Sequence, residues 1–399
     1  MKFPGQLAMW AMAALVSLGG LGLVLLWQRH DLPDRVTVQV AATPLSGAAV
    51  FRSKGCASCH GASGGGTDLG PSLRHRSSLT SLPQVVTAMW NHAPRMWQAM
   101  EGKQLSYPIL SYEETSQLVT YLYMGAYADD SGDPRRGQRL FAEMKCVQCH
   151  NRKFPAPGFV DISDSDDALS WTRALWNHGS GMQVKMLSAG IQWPSFQASD
   201  MRDLFAYVRQ ARNLDGEALT DVAGDPSRGW ALFQQKGCIR CHSISSAPGL
   251  LGPGLGTDHQ LPPTFSEFGA TLLNHFPKME RAIESQQAVV PRLDGNDVAD
   301  IAVFLYSLHY LEPTGSPLVG QSVFAWRGCN RCHGDNAEGT TSGPALRGRG
   351  QFYTAVRLAT DLWRHGARMY EAMKKDEQPW PALHDSDVGH LLTFLNTTP

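Results

Sequence analysis

The sequence carries almost no net charge, because its 399 residues include 35 lysines and arginines against 36 aspartates and glutamates. This balance does not suggest a nucleic-acid-binding protein or a polybasic membrane surface. The sequence also lacks a glycine-rich nucleotide loop and a Ser/His/Asp signature, so neither nucleotide chemistry nor triad catalysis is indicated. Cysteine is scarce as well, with only eight residues in the chain.

All eight cysteines lie in four C-x-x-C-H motifs, the attachment sequence of c-type haem. In this motif two thioethers fix the porphyrin and the adjacent imidazole binds the iron. A zinc ribbon needs its second cysteine pair about 15–20 residues after the first, whereas these motifs begin 90, 92 and 91 residues apart. A redox C-x-x-C needs neither the histidine nor four copies, and four disulfides would not need this spacing. We therefore expect four covalently bound haems c. The motifs are Cys56-Ala-Ser-Cys59-His60, Cys146-Val-Gln-Cys149-His150, Cys238-Ile-Arg-Cys241-His242 and Cys329-Asn-Arg-Cys332-His333.

Further landmarks recur with each motif and define four sequence repeats. Glycine lies nine residues before each first cysteine and phenylalanine five before it: Gly47, Gly137, Gly229 and Gly320, and Phe51, Phe141, Phe233 and Phe324. Each histidine is followed by a proline and then a methionine: Pro71, Pro157, Pro253 and Pro344, and Met96, Met182, Met279 and Met369. Repeat 2 is four residues shorter between its histidine and its proline.

An aromatic residue stands 25 residues beyond each methionine, in a segment with helical periodicity: Tyr121, Tyr207, Phe304 and Phe394. Acidic or small residues suited to a helix N-terminus begin these segments: Glu113, Asp200, Asn296 and Asp387. Pro- and Gly-rich linkers, "DDSGDPRRG", "DVAGDPSRG" and "EPTGSPLVG", separate the repeats. The predicted domains are an anchor and linker at 1–46 and four modules at 47–128, 137–212, 229–310 and 320–399.

Each repeat resembles a class I cytochrome c, with a first helix bearing glycine and an aromatic residue, C-x-x-C-H, a proline loop, a methionine and a last helix. The resemblance implies an all-α fold of four tandem cytochrome c-like domains. It also implies that the four loop prolines accept, through their carbonyls, the Nδ1 proton of the iron-binding histidine. Such a bond fixes the ring and tunes the iron.

Two complete sets of residues compete for the sixth iron position, the four methionines and the histidines four residues before them: His92, His178, His275 and His365. Pro94, Gly179, Gly181, Pro277 and Gly366 lie between the two positions and are unfavourable in a helix interior. The helix should therefore end near its histidine and present the methionine from a new segment, as in the family. Methionine is the predicted ligand, and histidine remains the alternative.

Three tryptophans precede these motifs and are predicted to pack as core residues, with a role as electron bridges as the alternative: Trp90, Trp176 and Trp363.

Residues 7–27 are mostly apolar and uncharged, and at about 1.5 Å per residue they span about 30 Å of hydrocarbon. Lys2 precedes them, and small residues that could serve as a cleavage site occur only near 40–42. We favour an uncleaved single-pass anchor in the inner membrane, with the haem domains in the periplasm, over a cleaved signal peptide.

An iron with two protein ligands exchanges electrons and has no open position for a substrate. The expected function is therefore a membrane-anchored, periplasmic, tetrahaem electron carrier rather than an enzyme. Its expected partners are a respiratory or photosynthetic membrane oxidoreductase complex and soluble periplasmic cytochromes, with no nucleic acid. The alternatives are a peroxidase or reductase with one open iron, for which repeat 2 is the first candidate, and a module of a multi-haem conducting assembly.

Overall fold

The computed structural model describes residues 43–74, 81–151, 167–197, 199–212, 224–244, 248–249, 251–256, 260–308, 315–348 and 352–397. Within these ranges the chain is helical and contains no strand, as the predicted fold class requires. The chain divides into residues 1–39 and 40–399, and every described residue belongs to the second unit. The predicted anchor at 7–27 lies outside the described residues. Among the described helices, none is both long and apolar enough to cross a membrane.

Each repeat contains three long helices, which we name first, central and last. The first helices are Pro44–Ser53, Pro134–Glu143, Pro226–Gln235 and Pro317–Trp326. The central helices are Leu82–Gly102, Ala168–Ser188, Phe265–Ser285 and Ala355–Lys375. The last helices are Tyr112–Gly125, Asp200–Ala211, Asp297–Ser307 and Asp387–Asn396. Short helical turns, Ala57–His60, Cys146–Gln148, Cys238–Arg240 and Asn330–His333, carry the C-x-x-C-H motifs.

The first helices begin three residues before the predicted repeat boundaries, so the ends of the predicted linkers are helical. Each helix starts with proline, whose missing N–H is not needed in the first turn. In repeats 2 to 4 the preceding Asp133, Asp225 and Ser316 accept hydrogen bonds from the first free N–H groups through their side chains. The Asp-Pro and Ser-Pro pairs are therefore helix starts rather than linker residues.

The first and last helices of every repeat cross at the recurring glycine. A Cβ atom on that glycine would lie 2.0, 1.9, 2.0 and 2.0 Å from a carbonyl oxygen of the last helix in repeats 1 to 4. Beside each crossing, the recurring phenylalanine contacts the recurring aromatic residue of the last helix. Their ring centroids are 5.4, 5.5, 5.9 and 5.4 Å apart. The spacing found in the sequence thus corresponds to one helix crossing made four times.

Replacing Gly229 with alanine is expected to destabilise the protein by about 1–3 kcal/mol, because the added methyl forces the crossing helices apart. The nearest atom is the Asp300 carbonyl oxygen, which belongs to the backbone and cannot turn away. The midpoint of thermal unfolding measures the effect. Gly102→Ala is the control, since nothing lies within 4 Å of a Cβ atom there. Equal midpoints for the two variants would contradict the close crossing.

The central helices pack between repeats, joining repeat 1 to repeat 4 and repeat 2 to repeat 3. Ala270 and Leu273 of repeat 3 belong to the buried core of repeat 2. Repeat 1 also contacts repeat 3 through the end of its last helix, where the Tyr123 hydroxyl donates to the carbonyl of Tyr306 at 2.9 Å. Neighbours in the chain are therefore not always the neighbours in space.

Candidate haem-binding sites

The four C-x-x-C-H motifs present unpaired thiols, since none of the eight cysteines forms a disulfide. The residue before each first cysteine has positive φ, at 82°, 63°, 82° and 76° in repeats 1 to 4, and it turns the chain from the first helix into the motif. Burial raises the pKa of the first thiol in each motif to about 11. These thiols are therefore protonated at neutral pH.

The histidine of the motif is held by the loop proline in three repeats. His60 Nδ1 donates to the Pro71 carbonyl at 2.9 Å, and the corresponding distances in repeats 3 and 4 are 3.1 and 2.9 Å. The glycine before each of these prolines packs on the imidazole. A Cβ atom on Gly252 would lie 2.5 Å from the His242 ring. Pro157 of repeat 2 lies outside the described residues.

This donor set fits covalently bound haem c. Two thiols stand at the spacing of the two thioethers, and in repeats 1, 3 and 4 the bond at Nδ1 leaves Nε2 of the imidazole for the iron. The hydrogen bond to a carbonyl fixes both the tautomer and the orientation of the ring. Haem, when bound, would supply the one-electron chemistry, and the chain would hold and orient it.

The central helices differ from the prediction, which placed a helix end between the histidine and the methionine. Each central helix runs without interruption for 21 residues. Its eleventh residue is the candidate histidine and its fifteenth the candidate methionine, so both lie on one face of the helix. Proline and glycine do not end these helices, and the argument that favoured methionine over histidine on that ground is wrong.

The two prolines are accommodated because another repeat uses the carbonyl groups that they leave without a helical partner. Pro94 has no N–H for the Trp90 carbonyl, which instead accepts the indole N–H of Trp380 at 3.0 Å. Pro277 leaves the Leu273 carbonyl unpaired in the same way, and that carbonyl accepts the indole N–H of Trp193 at 2.9 Å.

Two of the glycines are explained by close packing between repeats. A Cβ atom on Gly179 would lie 2.6 Å from the ring of Phe276, and one on Gly366 would lie 2.8 Å from the ring of Trp97. Each of these aromatic rings belongs to the central helix of the partner repeat. Glycine at these positions therefore permits close helix packing and does not mark a helix end.

The tryptophans predicted as core residues form contacts between repeats. Trp90 donates to the Pro381 carbonyl at 2.7 Å, and Trp176 donates to the Pro291 carbonyl at 2.9 Å. Trp363 packs against the buried core of repeat 1. Trp176 is buried as predicted, while Trp90 and Trp363 are partly buried, and all three contribute to the pairing of repeats.

An asparagine on three central helices forms a two-way hydrogen bond with the backbone of the partner repeat. In each case the side-chain amide donates to a carbonyl, and its oxygen accepts from the N–H of the same residue. These asparagines were not among the residues identified from the sequence. They could have been found as the residue directly before the candidate histidine in repeats 1 to 3. The pairs are Asn91 with Leu383, Asn177 with Leu293 and Asn274 with Phe196, at 2.6 to 2.9 Å.

Replacing Trp193 with phenylalanine is expected to cost about 1–3 kcal/mol, because the buried Leu273 carbonyl loses its donor. Adding Pro277→Ala should recover much of this loss, since the new N–H of residue 277 can bond the same carbonyl within the helix. A double-mutant cycle followed by chemical unfolding measures the coupling. Strictly additive effects of the two substitutions would contradict the link between proline and tryptophan.

One family model matches the chain, that of cytochrome c, over residues 45–124 and 226–309. The second stretch includes the first, central and last helices of repeat 3, and the first stretch covers those of repeat 1 except for Pro44 and Gly125 at its ends. Searches of curated proteins and of solved structures found no significant match. The match supports a c-type cytochrome, with covalently bound haem c and haem-based electron transfer.

Proposed function

We propose that the protein is a membrane-anchored, periplasmic, tetrahaem c-type cytochrome that relays electrons. The observation that carries the proposal is the repeated geometry. All four repeats combine two thiols, an adjacent histidine and the same crossing of first and last helices. Two of them, repeats 1 and 3, also match the cytochrome c family model. Since repeats 2 and 4 share the crossing glycine and the paired rings, we assign a haem to each of them too.

Each iron in this proposal has two protein ligands. His60, His150, His242 and His333 supply the fifth ligand. Met96, Met279 and Met369 supply the sixth in repeats 1, 3 and 4. In repeat 4 the guanidinium of Arg368 donates to Nδ1 of His365 at 2.8 Å. That bond places the ring proton on Nε2, so His365 offers no lone pair to the iron and Met369 is favoured.

A saturated iron distinguishes an electron carrier from a haem enzyme, and carbon monoxide tests it. We expect the reduced, haem-loaded protein to keep its absorption spectrum when carbon monoxide is added. A peroxidase or reductase would have one open iron, and one quarter of the haem would then shift its Soret band. Such a shift would contradict the electron-carrier function and support a haem enzyme. Variants of the sixth ligand in one repeat at a time would then identify the iron that binds carbon monoxide.

The membrane anchor and the partner complex rest on the apolar segment at 7–27. Mild detergent extraction of native membranes, a native gel stained for haem and mass spectrometry of the co-migrating proteins test both. Co-migration with a quinol oxidase, dehydrogenase or reaction centre supports a subunit or close partner. Recovery of all the haem-stained protein without detergent would contradict anchoring.

A further inference from the structure

Repeat 2 places a second histidine opposite its haem-motif histidine. The ring of His150 and the ring of His178, on the central helix, have centroids 6.1 Å apart and planes inclined at 60°. We propose that His178, rather than Met182, is the sixth iron ligand of repeat 2. The proposal rests on the proposed function, since it assumes a haem attached at Cys146 and Cys149.

The separation of the rings is that of two imidazoles on one metal. A metal–nitrogen bond of about 2 Å and about 1 Å from nitrogen to ring centre put two such centres about 6 Å apart. A tilted aromatic pair without a metal can have the same separation. The position of the rings decides, because His150 belongs to the attachment motif and His178 lies on the helix face that also carries Met182.

Other repeats hold the corresponding histidine differently. In repeat 3 His275 Nδ1 donates to the Thr271 carbonyl at 2.8 Å, one turn back along its own helix. In repeat 4 His365 accepts from Arg368, as described above. Repeat 2 also has the shortened loop after its motif, so it differs from repeats 3 and 4 both in sequence and in the contacts of this histidine.

Two histidine ligands make a haem more reducing than one histidine and one methionine. The haem of repeat 2 is therefore expected to have the lowest midpoint potential of the four. The oxidised wild-type protein should show a methionine-to-iron charge-transfer band for three haems and not for four. Its electron paramagnetic resonance spectrum should contain one component typical of two imidazole ligands.

Matched variants of the haem-loaded protein separate the two candidate ligands. We expect His178→Ala to convert one haem to a high-spin form that binds carbon monoxide, while Met182→Ala leaves all four low-spin. Met369→Ala is the positive control for methionine and should remove one third of the charge-transfer band. Loss of band intensity in Met182→Ala together with an unchanged His178→Ala spectrum would overturn the proposal.

The wild-type spectra keep the proposal testable if His178→Ala does not fold. A charge-transfer band for four haems, with no component typical of two imidazoles, overturns the assignment without any variant. The haem content of the same sample distinguishes a failure of the proposed function from a failure of the His178 assignment. Fewer than four haems would count against the proposed function, whereas four haems with four methionine ligands would count against His178 alone.

A second inference concerns the order in which the repeats exchange electrons. Repeat 4 packs on repeat 1 and repeat 2 packs on repeat 3, through their central helices. The two pairs meet where repeat 1 contacts repeat 3. We infer that electrons pass along the order 4, 1, 3, 2 or its reverse, and not along the order of the sequence, because tunnelling falls steeply with distance. This inference too rests on the proposed function.

The contact between repeats 1 and 3 is buried and specific. The ring centroids of Tyr127 and Tyr306 are 4.4 Å apart. The Tyr127 carbonyl also accepts a hydrogen bond from the Phe265 N–H at 3.1 Å. The Asp129 carboxylate accepts from the Ser266 N–H at 3.0 Å at the start of the central helix of repeat 3. This contact joins the two pairs of repeats into one series.

Removing single haems distinguishes the two orders. The variant Cys56→Ala/Cys59→Ala removes the haem of repeat 1. In the inferred order this haem connects the haem of repeat 4 to those of repeats 3 and 2. After pulse radiolysis, one of the three remaining haems should then leave the fast phase of internal equilibration. The variant Cys146→Ala/Cys149→Ala removes the haem of repeat 2, which stands at one end of the inferred order. The three remaining haems should then all stay in the fast phase. The opposite pair of results is expected for the order of the sequence and would overturn the inference.

A second pair of variants avoids the loss of a haem, which could unfold a repeat. Tyr127→Leu weakens the contact between repeats 1 and 3 and should slow equilibration between the two pairs of haems. Trp326→Leu is the control, since this side chain is 82% exposed. Equal rates in the two variants would contradict the inferred order, while the unchanged content of four haems would leave the carrier function in place.

Discussion

Replacing Cys238 and Cys241 with alanine is expected to lower the covalent haem content of the purified protein from four haems to three. Cys238 and Cys241 are the only cysteines in repeat 3, so no other thiol in that repeat can form the thioethers. The pyridine haemochrome absorbance per polypeptide and the mass of the denatured protein measure the change.

Arg240→Ala, inside the same motif, is the matched control for the cysteine variant. It removes a charged side chain but leaves both cysteines and His242 in place, and the content should stay at four haems. The cysteine variant should also unfold more readily, because a domain of about 80 residues buries little core of its own. An unchanged haem content after the loss of both cysteines would contradict the assignment of this motif.

Replacing Trp97 with alanine is expected to cost about 3–5 kcal/mol of stability, the usual effect of deleting a buried large aromatic side chain. Trp97 is 1% exposed and lies between repeats 1 and 4. Its ring contacts Trp380 edge-on at 5.4 Å and Tyr370 at 5.7 Å. The substitution therefore leaves a cavity in the contact that joins the two repeats.

Chemical unfolding of the haem-loaded protein measures this loss, with Trp326→Ala as the control. Trp326 lies in repeat 4 and is largely exposed, so its loss should change the free energy of unfolding by no more than about 0.5 kcal/mol. A small effect at Trp97, comparable with that at Trp326, would contradict the packing of repeat 1 on repeat 4.

The residues that form the crossing of first and last helices could be found in the sequence because they lie at fixed distances from each haem motif. Gly229 and the Phe233–Phe304 pair have counterparts in every repeat, and the structure places all four sets in the same contact. The acidic or small residues at the starts of the last helices also lie where they were expected. These features depend on contacts within one repeat.

The central helices could not be predicted in this way because their continuity depends on another repeat. Pro277 is unfavourable in a helix when only its own segment is considered. The indole of Trp193, 84 residues away in the sequence, supplies the hydrogen bond that compensates for it. The sequence contained a sign of this: tryptophan directly precedes proline only in repeats 2 and 4, at Trp193 and Trp380, and only repeats 1 and 3 have a proline inside the central helix.

The sixth iron ligand could not be decided from the sequence either, because the deciding contact joins residues that are distant in the chain. Sequence spacing alone left histidine and methionine at equivalent places on one helix face, and the choice between them rested on a helix end that does not exist. The ring pair of His150 and His178 brings together two elements separated by 28 residues. Only the folded repeat shows that separation, so the ligand assignment of repeat 2 is a structural inference.

The mass of the full-length, haem-loaded protein after denaturation tests the central claim most directly. Denaturation removes any haem held only by its ligands, so the remaining added mass counts the thioether-bound groups. We predict a single dominant species with the mass of the polypeptide plus four haems. A mass equal to the bare polypeptide, or to the polypeptide with only two haems, would contradict a four-haem electron carrier.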